Sequence, residues 1–138
     1  MTIKNYDFVL DCSIAMAWCF EDESNEYTDT ILENLRDSKA IVPTIWPLEI
    51  ANVLLQAKKK KRITEIQVAN FIDALSALPI IIDPSTSSRA MHSVFVLAGQ
   101  SNLTIYDAAY LELALREGIP LMTLDKELLK AAKNLHIP

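Results

Sequence analysis

Four short runs of strand-favouring residues, separated by long stretches with helical spacing, limit this 138-residue chain more than any other feature of its sequence. The runs are YDFVLD near the start, AIVPT at 40–44, PIIID at 79–83 and IPLMTLD at 119–125. Strands with helices between them belong side by side and parallel, because a parallel crossover needs a dozen or more residues and a helix supplies them. Such a sheet is covered on both faces. The expected fold class is therefore α/β, a three-layer α/β/α sandwich with a mainly parallel central sheet, formed by residues 1–138 as one domain.

The intervening segments carry their own start and stop signals. SIAMAWCF follows the first run as an apolar helix. Ser24 is placed to cap a helix through Asp37, with Tyr27, Ile31, Leu32 and Leu35 on one face. Pro47 suits the first turn of PLEIANVLLQAKKKKR. Thr64 and Gln67 stand in capping-box register ahead of another helix. Two more are expected at about 86–100 and 105–117, the second ended by Gly118, and KELLKAAKNL forms the last.

Composition narrows the function classes. Apolar residues make up 51% and glycines number two, as in a compact helix-rich protein rather than a disordered one. No apolar run approaches the ~20 residues of a membrane span, and acids interrupt the start MTIKNYDFVLD where a secretory leader would be apolar. No membrane association and a cytoplasmic location are expected. Cys12 and Cys19 on one helix would stand roughly 10 Å apart, beyond the ~7 Å limit for a disulfide. Two histidines and no cysteine pair at ligand spacing disfavour zinc, so any bound metal would take oxygen ligands. No glycine-rich phosphate loop occurs. The net charge of −5 disfavours polyanions in general, yet KKKKR at 58–62 concentrates positive charge locally.

Chemistry enters with the carboxylates. Asp11 follows the first strand and Asp125 follows the fourth, while Glu49 and Asp107 fall in the first turns of two helices. All four lie at the end where a parallel sheet opens its ligand crevice. Each has an ordinary structural explanation: helix caps for Asp11 and Asp125, a favourable macrodipole for Glu49, and a capping box for Thr104 with Asp107. Four such acids in apolar surroundings repel one another unless protons or a cation intervene. A hard divalent ion, Mg²⁺ or Mn²⁺, answers that need. Hydrolysis of a phosphodiester by metal-activated water follows as the best chemical reading.

The segments VLDCSIAMAWCFEDE, PTIWPLEIANVL, LTIYDAAYLELAL and IPLMTLDKELLKAA resemble, in order and spacing, the successive motifs of the PIN domain, specifically of VapC-type toxins. The resemblance covers nearly the whole chain. It implies that Asp11, Glu49, Asp107 and Asp125 form the acidic metal-binding and catalytic quartet, with Ser13, Thr104 and Thr123 supporting them. It further implies a Mg²⁺- or Mn²⁺-dependent endoribonuclease that acts on RNA and is neutralised by a cognate antitoxin.

Other residues carry weaker readings. Lys58, Lys59, Lys60, Lys61 and Arg62 are candidate RNA contacts, ~14–20 Å from Glu49 along a continuous helix, against the plain alternative of a solvated helix end. Trp18 and Trp46 read chiefly as core or interface residues. Tyr110 and Leu111 extend an apolar face read as a subunit contact, and a homodimer is expected. Two rival functions remain: a catalytically silent PIN-like module that binds RNA or a basic partner peptide, and a phosphoacceptor receiver domain. The second fits poorly, because Cys12 follows Asp11 and Lys126 directly follows Asp125.

Overall fold

A computed structural model describes residues 6–138; residues 1–5, part of the start considered above for a leader, lie outside the described residues. Strands β1 (Phe8–Leu10), β2 (Ala40–Val42), β3 (Ile80–Ile82) and β4 (Leu121–Met122) form one sheet in the order β3-β2-β1-β4, every pair parallel. The helices are α1 (Cys12–Cys19), α2 (Glu26–Asn34), α3 (Trp46–Lys59) and α4 (Glu65–Ser76) before β3. Helices α5 (Thr86–Arg89), α6 (Phe95–Ser101) and α7 (Ile105–Glu117) follow it, and α8 (Lys126–Asn134) closes the chain. The expected α/β architecture is thus the observed one.

Local signals explain most boundaries. Thr64 and Gln67 form a reciprocal capping box, and Gly118 ends α7 in the left-handed conformation (φ 65°). Helix α2 differs from expectation. Asn25, rather than Ser24, is the cap, because its side chain accepts from the Thr28 amide while the Thr28 hydroxyl accepts from the Asn25 amide. The Ser24 hydroxyl turns back to the Glu21 carbonyl, and the helix stops at Asn34 instead of reaching Asp37. The segment at 86–100 is broken by a π-helical turn, Ala90–Val94, between α5 and α6. Among the described residues no helix is long and apolar enough to cross a membrane.

The strands β1 and β2 are buried along their whole length, and Ile14, Leu111, Leu113 and Leu128 fill the space around them. Tyr110 and Leu111 are fully buried in this core, which corrects their reading as a subunit-facing surface. Both tryptophans are structural. Trp18 donates to the Thr28 carbonyl at 2.7 Å, holding α2 on α1, and Trp46 is buried at the start of α3. Cys12 and Cys19 are free thiols on one helix, as expected.

A buried charge cluster joins α7 to the end of β3. Arg116 donates to Asp83 Oδ2 at 2.7 Å and to Glu112 Oε1 at 3.0 Å. Asp83 also accepts from the Ser85 amide and from the Thr86 hydroxyl, and Thr86 in turn accepts from the Thr44 amide just ahead of α3. Burial by itself would raise the Asp83 carboxyl, but the Arg116 guanidinium, the Ser85 amide and the Thr86 hydroxyl together hold it below the ordinary carboxylate range. A depressed carboxyl contributes stability above its unfolded pKa and loses it as pH falls through the folded one. Arg116→Met should therefore cost about 3–5 kcal/mol at neutral pH by leaving buried Asp83 without a charged partner and Glu112 with only Arg89, at 3.6 Å. The gap from wild type should narrow as pH falls, because the variant's Asp83 protonates first and that of wild type follows only below the ordinary carboxylate value of ~4. Urea unfolding at the two pH values checks this; equal stability at neutral pH would contradict it.

Candidate metal centre

The strand order makes one position special. From β1 the chain steps to β2 on one side, whereas β4 returns to the other, so the connections diverge between β1 and β4. The crevice of an open parallel sheet lies at such a switch point, beyond the carboxyl ends of the strands. Asp11 leaves β1 there, and Thr123 and Asp125 leave β4 there.

Asp11 occupies the cap position of α1 without capping it, since its side chain makes no cap hydrogen bond. Its Oδ2 instead accepts from the Ser13 hydroxyl at 2.6 Å and from the Thr123 hydroxyl at 2.7 Å. The same two hydroxyls accept from the loop after β4: the Leu124 amide donates to Ser13 Oγ, and the Asp125 amide to Thr123 Oγ1, both at 3.0 Å. Each hydroxyl is thereby fixed as a donor toward Asp11. Asp125 does cap, accepting from the Leu128 amide at 3.0 Å. Thr104 caps α7 through the Asp107 amide, which leaves the Asp107 carboxylate at the rim.

Glu49 enters from the first turn of α3. Its Oε1 accepts from the hydroxyl of Tyr110 at 2.5 Å, a contact from α7 to α3. Tyr110 was read from the sequence only as an apolar residue. The available signal was its phenol, a polar tip on a buried face that needs a partner.

The electrostatics tie the four acids together. Burial pushes the Glu49 carboxyl up and the charges of Asp11 and Asp107 add to it, against the lowering effect of the Tyr110 hydrogen bond. Asp107 is raised by burial, then by Asp125 and Asp11. The Cys12 thiol is pushed up to about 12 by burial, with Glu49 and Asp11 contributing, so it is an inert neutral neighbour. Among the described residues none of the four acids forms an ion pair. The arrangement is an open one, and no three of the His, Cys, Asp or Glu side chains among the described residues close into a ready cage for an ion. The apolar cavity bounded by Trp46, Ile50, Leu54, Ile72 and Leu75 holds no ionisable side chain and lies apart from this chemistry.

An unneutralised, all-oxygen set with one oxygen of Asp11 and of Glu49 already occupied by hydroxyls fits a hard divalent cation. Such ions, Mg²⁺ above all, bind through one or two carboxylates and keep several waters.

The basic run behaves differently from one continuous patch. Helix α3 extends unbroken from Glu49 to Lys59, placing Lys58 about 14 Å along the axis at ~1.5 Å per residue. Arg62 is withdrawn from the run. It bridges Asp22 at 2.7 Å and Glu23 at 2.9 Å, and its guanidinium lies 3.9 Å over the Phe20 ring. Lys58 approaches Glu65 at 3.4 Å in an exposed pair of little energetic weight.

A sequence profile of the PIN domain matches residues 8–134. The chain belongs to the PIN-domain family. This PIN domain is similar to Ribonuclease VapC3 of Pyrobaculum aerophilum, 25% identical over 120 residues, which is 87% of this chain and 90% of that protein. Its fold is shared with the crystal structure of PAE2754 from Pyrobaculum aerophilum, at a TM-score of 0.70 and 22% identity, over 92% of this chain and 80% of that one.

The raised carboxyls have a consequence for stability. A carboxyl raised on folding contributes most below its unfolded pKa of ~4, and that contribution is lost as pH rises through the folded value. With a chelator present at neutral pH, Asp107→Asn should therefore melt at or above wild type, and the advantage should vanish as pH falls toward 4. Added Mn²⁺ should raise the variant's melting temperature less than that of wild type. If Asp107 merely served the helix end, the variant would gain nothing in chelator and respond to Mn²⁺ as wild type does.

Proposed function

We propose that this PIN domain is a Mg²⁺- or Mn²⁺-dependent endoribonuclease acting in the cytoplasm as the toxin of a toxin–antitoxin pair. The observation that carries the reading is the set of acids at one rim: the Glu49 carboxyl is raised by burial and by Asp11 and Asp107, that of Asp107 by burial and by Asp125 and Asp11, and none of the four has an ion-pair partner among the described residues. The name of the VapC3 relative supports the ribonuclease assignment.

These four residues would hold the cation. When bound, a divalent ion lowers the pKa of water and stabilises negative charge developing on the attacked phosphate. The chain's own contribution is to place the oxygens. Ser13 and Thr123 fix Oδ2 of Asp11 and leave Oδ1 as the oxygen with no hydrogen bond among the described residues. Thr104 anchors the start of α7 and so the position of Asp107. The remaining lysines of the run, Lys58 to Lys61, are our candidates for contacts to RNA phosphates beside the cut.

The antitoxin is expected to present an Arg or Lys to the acidic rim, since a guanidinium matches carboxylates in geometry as well as charge. A homodimer remains part of the proposal. Met91, Phe95 and Val96, all strongly exposed around the π turn, take the place of Tyr110 and Leu111 as its apolar contact.

The test is cleavage of a structured RNA by the purified protein. Cleavage should require Mg²⁺ or Mn²⁺, and Asp11→Asn should abolish it while leaving the circular dichroism spectrum intact. In the same assay series, Lys58 to Lys61 replaced by Gln should weaken RNA binding and flatten its dependence on salt, as fewer counterions are released. Undiminished cleavage in excess chelator would overturn the mechanism. RNA binding without cleavage would return the protein to the silent-module reading.

A further inference from the structure

Tyr110 stands at the centre of the molecule with no solvent exposure at all, and its hydroxyl is spent on one atom, Oε1 of Glu49, at 2.5 Å. A phenol in a core needs a partner, but any carbonyl or hydroxyl would serve that need. Here the partner is an acid that is only half-buried, lies within the field of Asp11 and Asp107, and belongs to a different helix. The side chain of Glu49 has three rotatable bonds, and repulsion from its acidic neighbours would swing an unrestrained carboxylate out toward water.

We infer that Tyr110 is a positioning residue for the metal centre: its hydroxyl holds Glu49 Oε1 and leaves Oε2 as the oxygen offered to a cation. The inference rests on the reading of Glu49 as a metal-holding residue given above. The same arrangement is present at Asp11, where two hydroxyls hold Oδ2. Both carboxylates are thereby restricted to one free oxygen each, which suits an ion that takes few protein ligands and retains water. Tyr110 also lies one helical turn after Asp107 on α7, so a single element sets the position of one acid through its backbone and of another through this hydroxyl. The phenol stays protonated, because burial and the adjacent Glu49 charge both raise it, and it serves as a permanent donor.

Removing such a supporting hydrogen bond ordinarily costs ten- to a hundredfold in metal affinity. The experiment is Mn²⁺ binding by isothermal titration calorimetry, without RNA, on wild type, Tyr110→Phe, Glu49→Ala and the double variant. Tyr110→Phe keeps the ring and its packing, and its melting temperature in chelator reports any purely structural effect. We expect Tyr110→Phe to weaken Mn²⁺ binding roughly tenfold or more, and to have no further effect once Glu49 is Ala. Unchanged Mn²⁺ affinity in Tyr110→Phe would overturn the inference, as would an equal loss in the Glu49→Ala background, which would mean action through packing alone. The underlying reading fails separately: if wild type binds Mn²⁺ and Glu49→Ala binds it as well, Glu49 is not a ligand, whatever Tyr110 does.

Discussion

The hydrogen bonds from Ser13 and Thr123 to one oxygen of Asp11 hold together the two strands between which the site opens. They join the end of β1 to the end of β4, and the loop amides of Leu124 and Asp125 set their direction. A hydroxyl that accepts from an amide has its own proton free for the acid, so the polarity of the network runs one way. With Asp11 nearly buried and held as an acceptor, every other acid brought near it adds repulsion rather than pairing. The site is in this sense strained by construction, and the strain has a direction: it favours protons or a cation.

The rest of the fold supplies the opposite balance. At the other end of α7, Arg116 neutralises Asp83 and Glu112 inside the protein, with Thr86 and Thr44 completing the bonding to the start of α3. Acidic side chains in the same small molecule are thus handled in two ways. Asp83 is paired and its carboxyl is lowered, whereas Glu49 and Asp107 are unpaired and theirs are raised. Helix α7 takes part in both, carrying Asp107 and Tyr110 near one end and Glu112 and Arg116 near the other. The first arrangement serves stability; the second, in the function proposed above, would receive a cation.

Much of this was legible in the sequence because the strands are short, apolar and well punctuated. Pro47, the Thr64–Gln67 pair and Gly118 announce helix ends through local chemistry, and the four acids fall at strand ends or first turns that sequence order alone locates. Contacts across the fold were not legible. Nothing near Tyr110 in the chain points to Glu49, 61 residues away, and nothing near Arg62 points to Asp22 and Glu23. An Arg at the end of a basic run looks like its neighbours until tertiary packing puts an aromatic ring beneath it and two acids around it. The cap of α2 was missed for a smaller reason: Ser24 and Asn25 are both good caps, and only the reciprocal partner at Thr28 decides between them.

The account depends on Asp11, Glu49, Asp107 and Asp125 acting as one cation site rather than as four separate helix-end acids. Crystals soaked in Mn²⁺ and measured for anomalous scattering test this most directly. An anomalous peak is expected among these four carboxylates, within ligand distance of Oδ1 of Asp11 and Oε2 of Glu49. A well-occupied Mn²⁺ elsewhere on the protein, with none on this rim, would contradict it.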